Sequence, residues 1–197
     1  MNKKAFLIIF LTLIVSGILT FVILSNTYFK NTETYTLNNF EISRQQDRAG
    51  KVEVSFELAK KLNYQVENRN SYSIKLKNPD NLSSIDVKLL DDTKREIIME
   101  EGDFQSERFQ DYQLINRHGF EGYQIFYRTD LYTEFTITLL VNEYEYDKDG
   151  EAQTAYDGVI IKVTQSPNDD KKIFNTEEFV NSKDFQHLLD SIKVTAP

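Results

Sequence analysis

The chain has no cysteine, no tryptophan, only two histidines and only seven glycines among its 197 residues. Without cysteine there is no disulfide, no thiolate metal site, no cysteine nucleophile and no lipid attached through an N-terminal Cys. Seven glycines leave little material for a phosphate-cradling loop, and neither a G-x-S-x-G elbow nor an H-E-x-x-H pair is present. His118 and His187 lie far apart, and neither has a second histidine at ligand spacing. His118 is expected in a loop, Asn116 to Phe120, and His187 on the wet side of a helix, without the orienting partners that catalysis needs. The missing tryptophan removes the usual platform for a carbohydrate. Basic charge is also scarce. Setting aside Lys3, Lys4 and Lys30 leaves 20 basic side chains against 31 acidic ones, a net of −11. Such a surface repels nucleic acid, so no nucleic-acid partner is expected.

One long hydrophobic run is present. Ala5 to Leu24 is uncharged and almost wholly apolar. As a helix its residues span roughly 30 Å, the thickness of a hydrocarbon core. Lys3 and Lys4 precede it, so the N-terminus is expected to stay cytoplasmic. A cleaved secretory signal is the alternative, but the run is long and Ile23 is a poor companion for cleavage after Ser25. Both alternatives export residues 26–197. The sequence therefore predicts a cytoplasmic tip and anchor at 1–24, a stalk at 25–50 merging into a first strand, and an extracytoplasmic domain at 51–197. Frequent Lys, Asn, Ile, Phe and Tyr suggest an AT-rich genome and a bacterial cell membrane.

The domain reads first as strands. Val52, Val54, Phe56 and Leu58 alternate with polar residues, giving one buried and one wet face. The same period runs through Tyr72, Ile74 and Leu76, closed by a turn at Asn78–Asn81, and through Ile85, Val87 and Leu89, followed by a turn at Asp91-Asp92. Ile97 and Ile98 fit a further short strand. β-branched and aromatic residues mark Gly122–Tyr127, then Tyr132–Val141 after a turn at Thr129-Asp130, then Val159–Val163. The C-terminus changes period. Asn175 and Ser182 are helix N-cap candidates, and Phe185, Leu188, Leu189 and Ile192 share one helical face. Two short helices, or one bent helix, fit this spacing. The expected fold class is α+β: an antiparallel sheet covered by C-terminal helices, preceded by one N-terminal transmembrane helix.

Four groups of residues invite a chemical role. Glu145, Asp147, Asp149 and Gly150 match positions 1, 3, 5 and 6 of a calcium loop, but Tyr156 stands where a bidentate acid belongs. A plain hairpin tip is the expectation, and a cation site the weaker alternative. Tyr123, Phe126, Tyr127, Tyr132 and Phe135 could line a groove, but core packing is the stronger reading, because such rings must fill the sheet–helix interface. The stripe Phe185, Leu188, Leu189 and Ile192 could cover the sheet or offer a partner surface. Glu100-Glu101 and Asp169-Asp170 read as solvated turns. No catalytic residue, cofactor or small-molecule ligand is expected from these groups.

Three segments together resemble the PsbP-like family of small extracytoplasmic α/β domains. They are Tyr72-Ser-Ile-Lys-Leu-Lys-Asn-Pro79, Gly122-Tyr-Gln-Ile-Phe-Tyr127, and Phe179 to Leu189 running into Asp190-Ser-Ile-Lys-Val194. The likeness covers about residues 64–195, the span over which the order of elements agrees. Tyr35 to Leu58 has no counterpart in it. The resemblance implies a binding, assembly or accessory role, and it carries no catalytic residue set with it. The expectation is therefore a membrane-anchored binding or accessory module without catalysis, its partners the membrane and another envelope protein. An enzyme assembled from scattered Asp, Glu, His and Tyr side chains is the rival, and a structural envelope component the third alternative.

Overall fold

The computed structural model describes residues 10, 12–16, 31–38, 52–93, 111–128, 133–148, 150–165 and 174–195. Ten strands lie among these residues: β1 (Thr32–Asn38), β2 (Glu53–Ala59), β3 (Gln65–Arg69), β4 (Ser73–Lys77), β5 (Ser84–Thr93), β6 (Asp111–Arg117), β7 (Phe120–Arg128), β8 (Thr133–Lys148), β9 (Glu151–Thr164) and β10 (Lys193–Thr195). Two short helices, α1 (Thr176–Val180) and α2 (Lys183–Asp190), precede β10. The strands form a three-stranded sheet ordered β1-β2-β10 and a seven-stranded sheet ordered β3-β4-β5-β9-β8-β7-β6. Every neighbouring pair is antiparallel.

Registry lines up the apolar positions of the large sheet in rows. Leu76, Ile85, Val163 and Phe135 face one another across four strands, and Ile74, Val87, Ile161 and Ile137 form the next row. All eight are buried. Tyr35 and Leu37 of β1 with Val54, Phe56 and Leu58 of β2 belong to the same core, as do Val180, Phe185, Leu188 and Leu189 of the helices. Tyr35 and Phe56 stack at 5.3 Å. Each helix starts as its cap residue predicts: Asn175 accepts from the Glu178 amide at 3.0 Å, and Ser182 from the Phe185 amide at 3.3 Å.

The expected α+β class is corrected by this arrangement. Antiparallel strands dominate the described residues, and α1 and α2 are only five and eight residues long. The cover that the sequence assigned to helices is shared with a second sheet. Its first strand, Thr32–Asn38, lies inside the segment expected to be stalk, where Tyr35 and Leu37 alternate inward. The expected transmembrane helix is not among the elements found: no helix of the described residues is long and apolar enough to cross a membrane. Of Ala5–Leu24 only residues 10 and 12–16 are described, as helix, and the rest falls outside the described residues. Asp91-Asp92 is no turn. β5 runs through it, with a shift of register between Leu90 and Thr93. The segments around Ile97-Ile98, Glu100-Glu101, Thr129-Asp130 and Asp169-Asp170 lie outside the described residues.

A buried polar corner fixes the β3 side of the large sheet. The Asn78 side chain accepts from the amides of Asp80 (2.8 Å) and Asn81 (3.2 Å) and donates to the Leu62 carbonyl at 2.8 Å. The Tyr64 hydroxyl lies 2.7 Å from Ser83 Oγ, and burial pushes its pKa up to about 12. The turn is therefore held from inside, as a buried polar group must be.

Candidate functional site

The opposite side of the sheet is built differently. β6 and β7 are joined by His118-Gly119, with φ of +53° and +85°, and Arg117 pairs with Phe120 across the turn. Two residues in the left-handed region between paired strands make a type I′ hairpin, whose twist matches the strands. Gly119 carries this conformation without cost, whereas His118 adopts it as a non-glycine residue. Further along β7, Gly122 packs against the Thr138 carbonyl of β8, and any Cβ there would collide with it.

Alternation sorts the side chains of this hairpin. Gln113, Ile115 and Arg117 of β6 share a face with Phe120, Gly122, Gln124 and Phe126 of β7. Ile115, Phe120 and Phe126 pack against the core, while Gln124 Nε2 donates to Gln113 Oε1 at 2.9 Å. At the turn end, Arg117 Nη2 donates to Gln186 Oε1 at 2.5 Å and to Asp190 Oδ1 at 2.9 Å, and Nε reaches the same oxygen at 3.2 Å. His118 Nε2 stands 3.3 Å from that oxygen as well. Burial pushes the Asp190 carboxyl up, but hydrogen bonds from Arg117 and His118 outweigh it, and its pKa falls below the ordinary value. At the far end, Arg128 lies over the Phe126 ring at 5.0 Å and donates to Glu177 of α1 at 3.1 Å. The two arginines thus clamp the hairpin to both helices.

The other face and the free side of β6 are more accessible. Leu114 is 58 % exposed, high for a large apolar side chain on a strand. Among the described residues β6 pairs only with β7, over seven consecutive residues without a shift of register. An open strand edge beside an exposed leucine offers backbone hydrogen bonds and an apolar contact together.

The residues singled out in the sequence are not brought together here. Glu145 sits on an extended strand opposite Thr154, and the β8–β9 pairing continues to Lys148 opposite Glu151, with Gly150 at φ +86° in the turn. A backbone extended through residues 145 and 147 does not wrap around an ion. The side chains of Asp147 and Asp149 lie outside the described residues, and among the described residues no group of three acids or histidines is placed to hold a metal. The five groove aromatics divide by strand alternation. Phe126 and Phe135 meet at 4.8 Å on the core side, while Tyr123 and Tyr127 take the other face, and Tyr132 lies outside the described residues. Phe135, Phe185, Phe179 and Phe174 then continue as a chain of ring contacts at 5.2–5.8 Å. Phe185, Leu188, Leu189 and Ile192 are all buried, so they cover the core and display nothing. His187 does not face water: its side chain is 14 % exposed and lies 3.4 Å from Glu57 of β2.

Sequence reasoning passed over β6, whose polar residues hide its period, and the Arg117–Asp190 clamp between residues 73 apart. The one available signal was Arg-His-Gly-Phe between two extended runs, a two-residue hairpin with glycine in its second position. No protein-family model and no curated protein matches this chain.

Proposed function

We propose that this chain is a membrane-tethered, extracytoplasmic binding or accessory module without catalytic activity, and that it binds through the β6 side of its large sheet. The observation that carries this proposal is the regular edge of β6, unpaired among the described residues, with Leu114 exposed beside it. The charged groups nearby support binding over chemistry. Arg117, His118 and Asp190 occupy one another, and a carboxylate with a lowered pKa stays ionised at neutral pH and is a poor proton carrier. The tether rests on the apolar run from Ala5 to Leu24 and on Lys3 and Lys4 before it. The PsbP-like likeness belongs to the same proposal. β4 ends at Asn78-Pro79, and α2 runs through Ser191-Ile192 into β10 at Lys193, the order of elements that the likeness requires.

The test is cross-linking in intact membranes of the full chain carrying a photoreactive residue at position 114, compared with one at Val66 on the opposite edge. Position 114 should give discrete adducts that survive alkaline washing of the membranes, and position 66 should not. Equal labelling at both positions would show that the β6 side has no special role.

A further inference from the structure

The phase of hydrogen bonding along β6 follows from its turn. In a two-residue hairpin the residues flanking the loop form a hydrogen-bonded pair, here Arg117 and Phe120. Pair types alternate from there, so the amides and carbonyls of Ile115 and Gln113 also point toward β7. Those of residues 112, 114 and 116 point outward, three consecutive outward positions with Leu114 at the centre.

We infer that β6 pairs with β6 of a second copy of this chain, antiparallel and centred on Leu114, joining two seven-stranded sheets across a two-fold axis. This deepens the reading of the β6 side as a binding surface and rests on it. The strand is complementary to itself in this register alone. Leu114 meets Leu114 of the second copy, and residues 112 and 116 meet in turn, so every outward group finds a partner and about six hydrogen bonds form, two per facing pair. Sliding by two residues loses a pair and takes the exposed leucine off the axis. The two leucines lie on the same face across the axis, about 5.5 Å apart at Cα, and each covers the other's exposed surface. An isologous contact of this kind closes at two copies and does not propagate along that edge. A seven-residue edge is small, at the low end of interfaces below about 1,200 Å². Two copies tethered to one membrane offset this through a raised effective concentration.

The absence of cysteine makes the test direct. The full chain with Leu114→Cys, oxidised mildly in membranes, should form a disulfide-linked dimer at least ten times more abundant than Val66→Cys on the β3 edge. A Cα separation of about 5.5 Å lies within disulfide reach. Adding Asn116→Pro removes an outward amide without touching the β7 ladder, so it should cut the dimer several-fold while the far-ultraviolet spectrum is unchanged. A dimer no more abundant than in Val66→Cys overturns the pairing, as does one indifferent to Asn116→Pro. Adducts of position 114 with a different protein, and none with its own copy, overturn the self-pairing but leave the binding proposal standing. No disulfide dimer and no photochemical adduct at position 114 overturns both.

Discussion

The two edges of the large sheet face the same problem and meet it in opposite ways. β3 has five residues, all exposed, and its pairing with β4 shifts register between Val66 and Asn68. Glu67 on it is bonded to Lys75 at 2.6 Å and lies 3.5 Å from Lys77, and the Lys75 hydrogen bond, against slight desolvation, holds its carboxyl below the usual pKa. A bulge and a charged girdle are standard defences against edge-to-edge pairing. β6 has no register shift along its seven residues, and Leu114 is more exposed (58 %) than Val66 on β3 (47 %). Among the described residues, one edge of the sheet is thus irregular and charged and the other is regular.

The largest expected effect tests whether both edges depend on one core. Phe185 is fully buried and touches Phe135 and Phe179. Phe185→Ala should cost about 3–5 kcal/mol in denaturant unfolding, and hydrogen exchange should quicken at β3 and β6 alike. Protection lost on one side only would split the sheet into two units. Next in size are two changes expected to act on one edge each. Gly122→Ala drives a Cβ into the Thr138 carbonyl and should cost about 1–3 kcal/mol, loosening β6 and β7 but leaving β3 protected. Asn78→Ala, also about 1–3 kcal/mol, should do the reverse, because it strips the corner that pins the β3 side. Exchange mapped by mass spectrometry reads both, and identical maps would sink the comparison.

Smaller still is Leu114→Lys. It should leave stability within about 0.5 kcal/mol of the parent, yet abolish sedimentation as a dimer, while Val66→Lys changes neither. The smallest effect concerns Asp190. Its folded pKa is depressed, so its stabilising contribution is present above the unfolded value of about 3.9 and fades as pH falls through the lower folded value. The melting temperatures of the parent and Asp190→Asn should differ slightly at pH 6 and converge near pH 2. A gap that persists at low pH would mean that charge on Asp190 is not what ties the β6 turn to α2. Asp190 and His118 are half exposed, so solvent screening keeps the gap small.

Legibility in the sequence followed burial. β2, β4, β8 and β9 were readable because each keeps one face dry: Val54 and Phe56, Ile74 and Leu76, Phe135 and Ile137 alternate with polar neighbours, and Ile161 and Val163 flank Lys162. The helix starts at Asn175 and Ser182 were readable because capping is local. β3 and β6 escaped because edge strands carry polar residues on both faces, leaving no period to detect. The α+β expectation failed at Tyr35 and Leu37, two inward residues in a polar segment whose burial depends on β2 being beside them. The candidate site was illegible for the same reason. What matters at β6 is which backbone groups point outward, and that is set by the phase of a hairpin turn.

The three-stranded sheet carries a consequence for the timing of folding. β2 spans Glu53–Ala59, yet its second neighbour is Lys193–Thr195, and its Glu57 amide donates to Ser191 Oγ, 134 residues further on. A chain that emerges from its N-terminus has made β2 long before the strand that flanks it exists. Until residue 195 is delivered, one side of β2 stays bare and the core lacks Phe185, Leu188 and Leu189. Folding to completion is therefore a late event, gated by the last strand, with long-range closure as the slow step. During synthesis the polypeptide therefore stays unlocked well after β2 has been made.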